Sequence, residues 1–288
     1  DGDVPGAEGV VRFELADNPQ FQDSRRTPWQ SADPKNDFIV KAVLKDLQPA
    51  TRYYYRVHYG PDREKTQAEE ACIFRTLQGA RGTDPVSFVV VTGMNYGRFH
   101  GLNRDMPGPR PGRRRWWTKL WRRWIRRRWW WIRRRRRRTK FRRWWSRWFR
   151  RRWWWIRWRW WTRRGREAGF PALKTMLGMD IDFFVGTGDN VYYDTPPREA
   201  FARTLPQLRQ KWHEQFVQSR FVELFRRTPT YWEKDDHDHR YNDCDRTGNR
   251  EPSSELGIAT FREQVPVVDP SDPEAKTYRT RRVNRDLQ

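Results

Sequence analysis

Several common features are scarce or missing in this sequence. Its 288 residues contain two cysteines, Cys72 and Cys244, too few for a disulfide framework and not spaced as a metal pair. No apolar run reaches the roughly 18 residues that cross a bilayer as a helix. One stretch lacks acid altogether: residues 113–164 hold 24 Arg, 2 Lys and 16 of the 19 Trp, with neither Asp nor Glu. The whole chain has a net charge of +24, a value that by itself points to nucleic acid or an anionic membrane as partner. Outside that stretch, however, 34 basic side chains face 36 acidic ones. The charge excess belongs to one 52-residue segment, and the rest has the composition of a globular protein. A length of 288 residues gives one large or two medium domains, enough to bury a core.

Alternation marks the first region. Residues 37–59 read as two strands around a turn: Phe38, Val40 and Val43 are β-prone, and Gln48, Pro49, Ala50 and Thr51 carry turn chemistry. Tyr53, Tyr55, Val57 and Tyr59 then repeat at period two, the pattern of a half-buried strand. A short strand follows over 72–76. These segments resemble the closing part of a fibronectin type III or immunoglobulin-like sandwich, so residues 1–80 are expected to be a remnant of such a β-sandwich. Gly-rich and polar residues 78–85 read as a linker.

Beyond it the pattern changes. Residues 87–92, SFVVVT, form a continuous apolar run, expected as a strand buried on both faces. A helix is expected over 171–179, opened by Pro171 where a missing N–H does no harm, and a second buried strand over 181–185. Leu205, Leu208, Trp212, Phe216, Phe221, Leu224 and Phe225 fall at helical spacing within 201–227. A third strand over 230–232 and a helix over 253–265 complete the pattern. Alternating strand and helix implies a mostly parallel sheet with functional loops at the strand C-termini.

Two such loops concentrate metal-ligating groups. One runs Gly188, Asp189, Asn190, Val191, Tyr192, Tyr193, Asp194; the other runs Asp235, Asp236, His237, Asp238, His239, with Tyr241, Asn242 and Asp243 after it. Carboxylates, imidazole and phenolate suit hard or borderline metals, and so many acids together are unfavourable unless a cation or solvent compensates them. The pair of loops suggests a polynuclear metal site. Residues 243–248 open like an EF-hand loop, but position twelve is Ser254 rather than Glu, so that reading is rejected. His58, His100 and His213 read as surface or core histidines and His239 as a supporting group.

The strand–GDxxY turn at Asp189 and Tyr192, followed by Pro229-Thr230-Tyr231 and Asp235 to Asp238 in that order, resembles the PhoD-like alkaline phosphatase/phosphodiesterase family of the metallophosphatase superfamily, whose members carry an N-terminal β-sandwich. The resemblance covers residues 37–112 and 165–288. It implies an α/β metallophosphatase-like layered sandwich, partly present, over 85–288. It also implies hydrolysis of phosphate mono- or diesters, Fe3+ and Ca2+ as cofactors with other divalent metals able to substitute, and a secreted or periplasmic location. A phosphate ester is the implied substrate; oligomeric state is not implied. By this resemblance Asp189 is the bridging metal ligand, Tyr192 the tyrosinate ligand and Asp236 a further ligand. His237 then stabilises the phosphoryl group or protonates the leaving oxygen, while a metal-acidified water attacks phosphorus. Asn95, Asn190, Asp194, Asp235 and Asp238 are supporting candidates. Gly93 stands where many relatives place a Cys ligand, so either Asn95 or another group is expected to substitute or one metal is expected to bind weakly. The family draws further His and Asp ligands from a C-terminal half that should begin near Gln288, which implies an incomplete site in this chain.

The Arg/Trp segment, residues 113–164, interrupts the expected phosphatase domain. Trp117, Leu120, Trp121 and Trp124 have helical spacing, and a cationic, aromatic-faced helix suits an anionic membrane or nucleic acid. The favoured reading is a low-complexity insertion at a surface connection, where insertions are tolerated. In the alternative, the protein is a cationic membrane- or nucleic-acid-binding protein acting through this segment, with the phosphatase part vestigial.

Overall fold

A computed structural model describes residues 6–101, 168–195, 200–266, 276–277, 280 and 282–287; the Arg/Trp stretch, and with it any membrane or nucleic-acid contact, lies outside them. The described residues before position 102 and after position 167 group as one compact unit. Six antiparallel strands build the first sheet: β1 (Gly9–Ala16), β2 (Arg25–Arg26), β3 (Gln30–Ala32), β4 (Arg52–Gly60), β5 (Gln67–Ala68) and β6 (Cys72–Arg75). β1 and β4 pair from Val10↔Gly60 to Ala16↔Tyr54. β2 and β3 share the free edge of β1, and β5 and β6 that of β4. The register sets Val11, Phe13 and Leu15 beside Tyr59, Val57 and Tyr55 on one face, as the period-two pattern requires.

The second sheet is parallel, in the order β7 (Phe88–Val91), β8 (Phe183–Thr187), β9 (Thr230–Glu233). Its helices are α1 (Tyr96–His100), α2 (Pro171–Leu177), α3 (Leu205–Phe216), α4 (Ser219–Phe225) and α5 (Ser254–Gln264). Phe184 on β8 is 0% exposed and packs with Met94, Leu173, Phe221 and Leu224. A second cluster joins Val191, Tyr193, Leu208, Trp212, Phe261 and Val265, and Phe216 and Trp232 touch both. Each such burial stabilises by about 2 kcal/mol, so the loop holding Val191 and Tyr193 is anchored by the helical core.

Four expectations are not met as stated. The strand through Phe38, Val40 and Val43 is not formed. Asp33 accepts the Lys35 amide at 2.8 Å and caps a 3-10 turn over Pro34–Asn36. Asp37 and Phe38 then take left-handed backbone, φ 53° and 57°, which interrupts an extended run. Residues 38–45 instead cross to the helical layer, where the Lys41 ammonium donates to the Arg262 and Val265 carbonyls at 2.5 and 2.8 Å. Second, the fibronectin-like remnant is not confirmed: the described residues of this region form one six-stranded sheet, the tyrosine face of β4 lies towards the helices, and the Tyr55 hydroxyl donates to the Arg226 carbonyl at 3.0 Å. Third, β7 is buried on one face only, with Val89 and Val91 against the helical cluster and Phe88 and Val90 exposed at 41% and 56%. The helical stretch expected over 201–227 also divides into α3 and α4, because Gln218 takes extended backbone, φ −60° and ψ 128°.

Candidate metal centre

Both acid-rich loops lie at the C-terminal ends of their strands, after β8 and β9. Two residues turn the chain out of β8: Gly188 at φ 85° and Asp189 at φ 52°. A Cβ on Gly188 would fall 2.3 Å from the Asp235 Cβ, so only glycine permits both the backbone hand and the approach of the two loops. Within the space so formed, Asp189, Asp236 and His237 each present one ligand atom, all within 4.8 Å of one another.

The partners of these groups divide their roles. Asp189 Oδ2 accepts the Tyr192 hydroxyl at 2.8 Å, whereas Oδ1 is buried and has no hydrogen-bond partner. Burial pushes the Asp189 carboxyl above its ordinary range and the charges of Asp236 and Asp235 add to this, against the Tyr192 bond and His237. Burial and the bond to Asp189 push the Tyr192 phenol up, so it keeps its proton and donates it. The His237 ring lies 4.3 Å from the Tyr192 ring, and Nδ1 meets Asp194 Oδ1 at 2.6 Å. Burial opposes a charged His237, but the Asp194 bond and the surrounding carboxylates outweigh it and raise its pKa. Burial likewise opposes ionisation of Asp194, and the bonds from His237 and the Asn242 amide (2.9 Å) hold it low. Asp236 accepts the amides of His237, at 2.8 Å, and Asp243.

The other candidates fall elsewhere. Asp235 is exposed and accepts the Asp236 amide at 2.9 Å. Asn190 and Asp238 are wholly buried and bond to one another at 2.6 Å. Asn95 caps α1 by accepting the Arg98 amide at 2.8 Å, which engages its side-chain oxygen. Gly93, at φ 70°, borders the centre: a Cβ there would stand 3.7 Å from the Tyr192 hydroxyl, and glycine places no ligand in that position. Two residues carry weight that no sequence signal announces. Exposed Arg98 brings a positive charge that opposes the rise at Tyr192. Arg240, 1% exposed, donates to the carbonyls of Pro252 (2.7 Å), Asp245 (3.2 Å), Thr247 (2.6 Å), Gly248 (3.2 Å) and Arg250. It thereby fixes the loop that follows the second cluster.

A cleft of about 1000 Å³ opens among Arg52, Arg75, Ser87, Asp182, Arg227 and Pro229. Ser87, Asp182 and Pro229 immediately precede the second-sheet strands, so this cleft is at the end opposite the acid cluster, and none of the clustered acids lines it. The case for a site rests on the cluster's chemistry. Two carboxylates, an imidazole and a phenol match hard or borderline cations, and the buried, unpartnered Oδ1 of Asp189 is an acceptor that a cation satisfies. The donor set fits a metal.

Comparisons with known proteins agree in direction. Residues 3–78 match the family model of the PhoD-like phosphatase N-terminal domain. A solved structure of PhoD resembles this chain with a TM-score of 0.59 at 15% identity, covering 96% of this chain and 43% of that one. Purple acid phosphatase PPD1 from yellow lupin (Lupinus luteus) seeds gives a TM-score of 0.48 at 10% identity over 92% of this chain and 37% of its own. No curated protein sequence matches. The likeness to PhoD shows a shared fold, and the chain spans less than half the length of that structure. The resemblance drawn from the GDxxY and Asp235–Asp238 motifs is thus met by a family match at the N-terminus and by the fold.

Proposed function

We propose that this chain is part of a metal-dependent phosphoric ester hydrolase of the alkaline phosphatase/phosphodiesterase type, in which Asp189, Asp236 and Tyr192 hold the metal and His237 serves the phosphate ester. The observation that carries the reading is the buried, unpartnered Asp189 Oδ1 among clustered acids. Iron(III) with calcium is the pair that the family resemblance implies, and a phenolate at Tyr192 beside carboxylates is compatible with it. Bound there, the metals would acidify a water and neutralise phosphoryl oxygens.

The protein's own groups complete the chemistry. Asp194 holds His237 through Nδ1, which fixes the ring and leaves Nε2 for the ester. Asp194 and the surrounding carboxylates favour the charged ring, and a proton on Nε2 would hydrogen-bond a phosphoryl oxygen or pass to the leaving oxygen. Arg98 supplies further positive charge beside Tyr192. Mono- or diesters are the substrate class, and a secreted or periplasmic location follows from the family resemblance.

Calorimetric titration of the purified chain with Mn2+ tests this. Saturable binding is expected, weakened by about 100-fold or more in Asp189→Ala, with any hydrolysis of nitrophenyl phosphate lost in parallel. Unchanged Mn2+ binding and turnover in that variant would sink the proposal.

A further inference from the structure

One acid of the second loop is not among the three clustered ligand residues. Asp238 is 0% exposed, and both its oxygens are engaged by N–H groups from two different turns. Oδ2 accepts from the Asn190 backbone amide at 3.0 Å and from the Asn190 carboxamide at 2.6 Å. Oδ1 accepts from the Asp235 amide at 2.7 Å. Asn190 directly follows Asp189, and Asp235 directly precedes Asp236, so a single carboxylate ties together the neighbours of both clustered aspartates.

Asn190 extends the tie. Its carboxamide also donates to the carbonyl of Glu233 at 2.9 Å, at the end of β9. Its own Oδ1 is buried without a partner, 2.7 Å from where a Cβ on Gly186 would stand. Buried acceptors are normally satisfied; here one hydrogen bond is forgone while both donors are kept, so the orientation of the side chain is fixed by what it donates to. With Asp189, Asp235 and Asp236 repelling one another, two loops carrying like charge stay together only if something else holds them.

We propose that Asp238 and Asn190 form a positioning clasp that sets the separation of Asp189 from Asp236, and hence the metal affinity of the site. The inference rests on the reading of those two residues as metal ligands. Asp238 is not placed as a ligand, because three N–H donors occupy most of its acceptor sites and it has no exposed surface. Supports of this kind, which orient ligands without touching the ion, commonly change metal affinity 10- to 100-fold when removed.

The test uses the full chain and Mn2+ alone, followed by calorimetry and by the EPR line shape of the bound ion. Asp238→Asn keeps the shape but turns an NH2 towards one of the amide donors, so one turn loses its anchor. About a tenfold loss of Mn2+ affinity and a broadened spectrum are expected. Asn190→Ala keeps the backbone bonds and removes those of the side chain, and a smaller loss is expected; it decides the matter if Asp238→Asn does not fold. Leu15→Ala on β1, 2% exposed and outside both clusters that pack against the site loops, serves as a control that lowers thermal stability and leaves Mn2+ affinity at the wild-type value. The clasp is overturned if the folded variants bind Mn2+ like wild type, or if Leu15→Ala loses affinity as they do. Asp189→Ala separates the two levels. If it retains binding, the metal reading itself fails; if it abolishes binding while the clasp variants do not weaken it, only the clasp fails.

Discussion

Glu14 on β1 is 1% exposed and receives hydrogen bonds from Ser24 (2.6 Å), Arg26 (2.9 Å) and Arg56 (2.5 Å), with His58 at 2.7 Å. Burial opposes its charge, yet these donors outweigh burial and hold the carboxyl well below its ordinary value. Asp189, after β8, meets the reverse. Its neighbours Asp235 and Asp236 add to the effect of burial, its carboxyl is pushed up, and one oxygen has no partner. The contrast sets a carboxylate that the fold itself supplies with cations beside one whose neighbours are acids, and the proposed metal reading rests on that second environment.

Three experiments sharpen or break this contrast. Glu14→Gln is expected to cost about 3 kcal/mol at pH 7, because it strips the charge from a buried group on which two arginines, Arg26 and Arg56, converge. The folded pKa of Glu14 is lowered, so its contribution is complete above the ordinary 4.5 and is lost as pH falls through the folded value. The stability gap in urea unfolding should therefore close only at pH below 4.5, and a gap independent of pH would refute the assignment. Next, Mn2+ at a hundred times its Kd should stabilise the protein by about 2.7 kcal/mol, read as a rise in Tm. Glu14→Gln should show the same increment and Asp236→Asn none. The smallest effect has the opposite sign to the first. Without metal, Asp189→Asn should be more stable than wild type by about 1 kcal/mol at neutral pH. The raised pKa means that the wild-type penalty is absent below the ordinary 3.8 and grows as pH rises through the folded value. If the variant proved less stable, Asp189 would be structural like Glu14.

What could be read from the residues was local. Tyr53 to Tyr59 revealed β4 because one face of that strand is covered, and the run through Phe183 and Phe184 revealed β8 because that strand is central. The acid-rich turns were legible because their residues lie within a few positions of one another. Phe38 to Val43 has strand-like residues, yet the Asp33 cap and the left-handed Asp37 and Phe38 decide its course, and composition does not register those. The exposed face of β7 was equally hidden, since SFVVVT reads alike whether one face is covered or two. Within the site, Asp238 and Asp236 look interchangeable in a DDHD string. Only the deepening of burial along the turn, from exposed Asp235 through half-buried Asp236 to fully buried Asp238, makes one a tie between loops and the other a candidate ligand. Asn95 looked available until α1 claimed its side chain as a cap.

The guanidinium of Arg240, ringed by the carbonyls of five loop residues, bears on how this region can change over generations. Main-chain oxygens are common to all residue types, so Arg240 holds the loop from Asp245 to Pro252 without reading its side chains. Apart from Gly248, at φ 81°, Asp245, which accepts the Thr247 amide and hydroxyl at 2.7 Å, and Arg250, which lies over the Tyr241 ring, its lettering is free to drift while its course stays put, and much of the constraint is carried by a single codon at position 240.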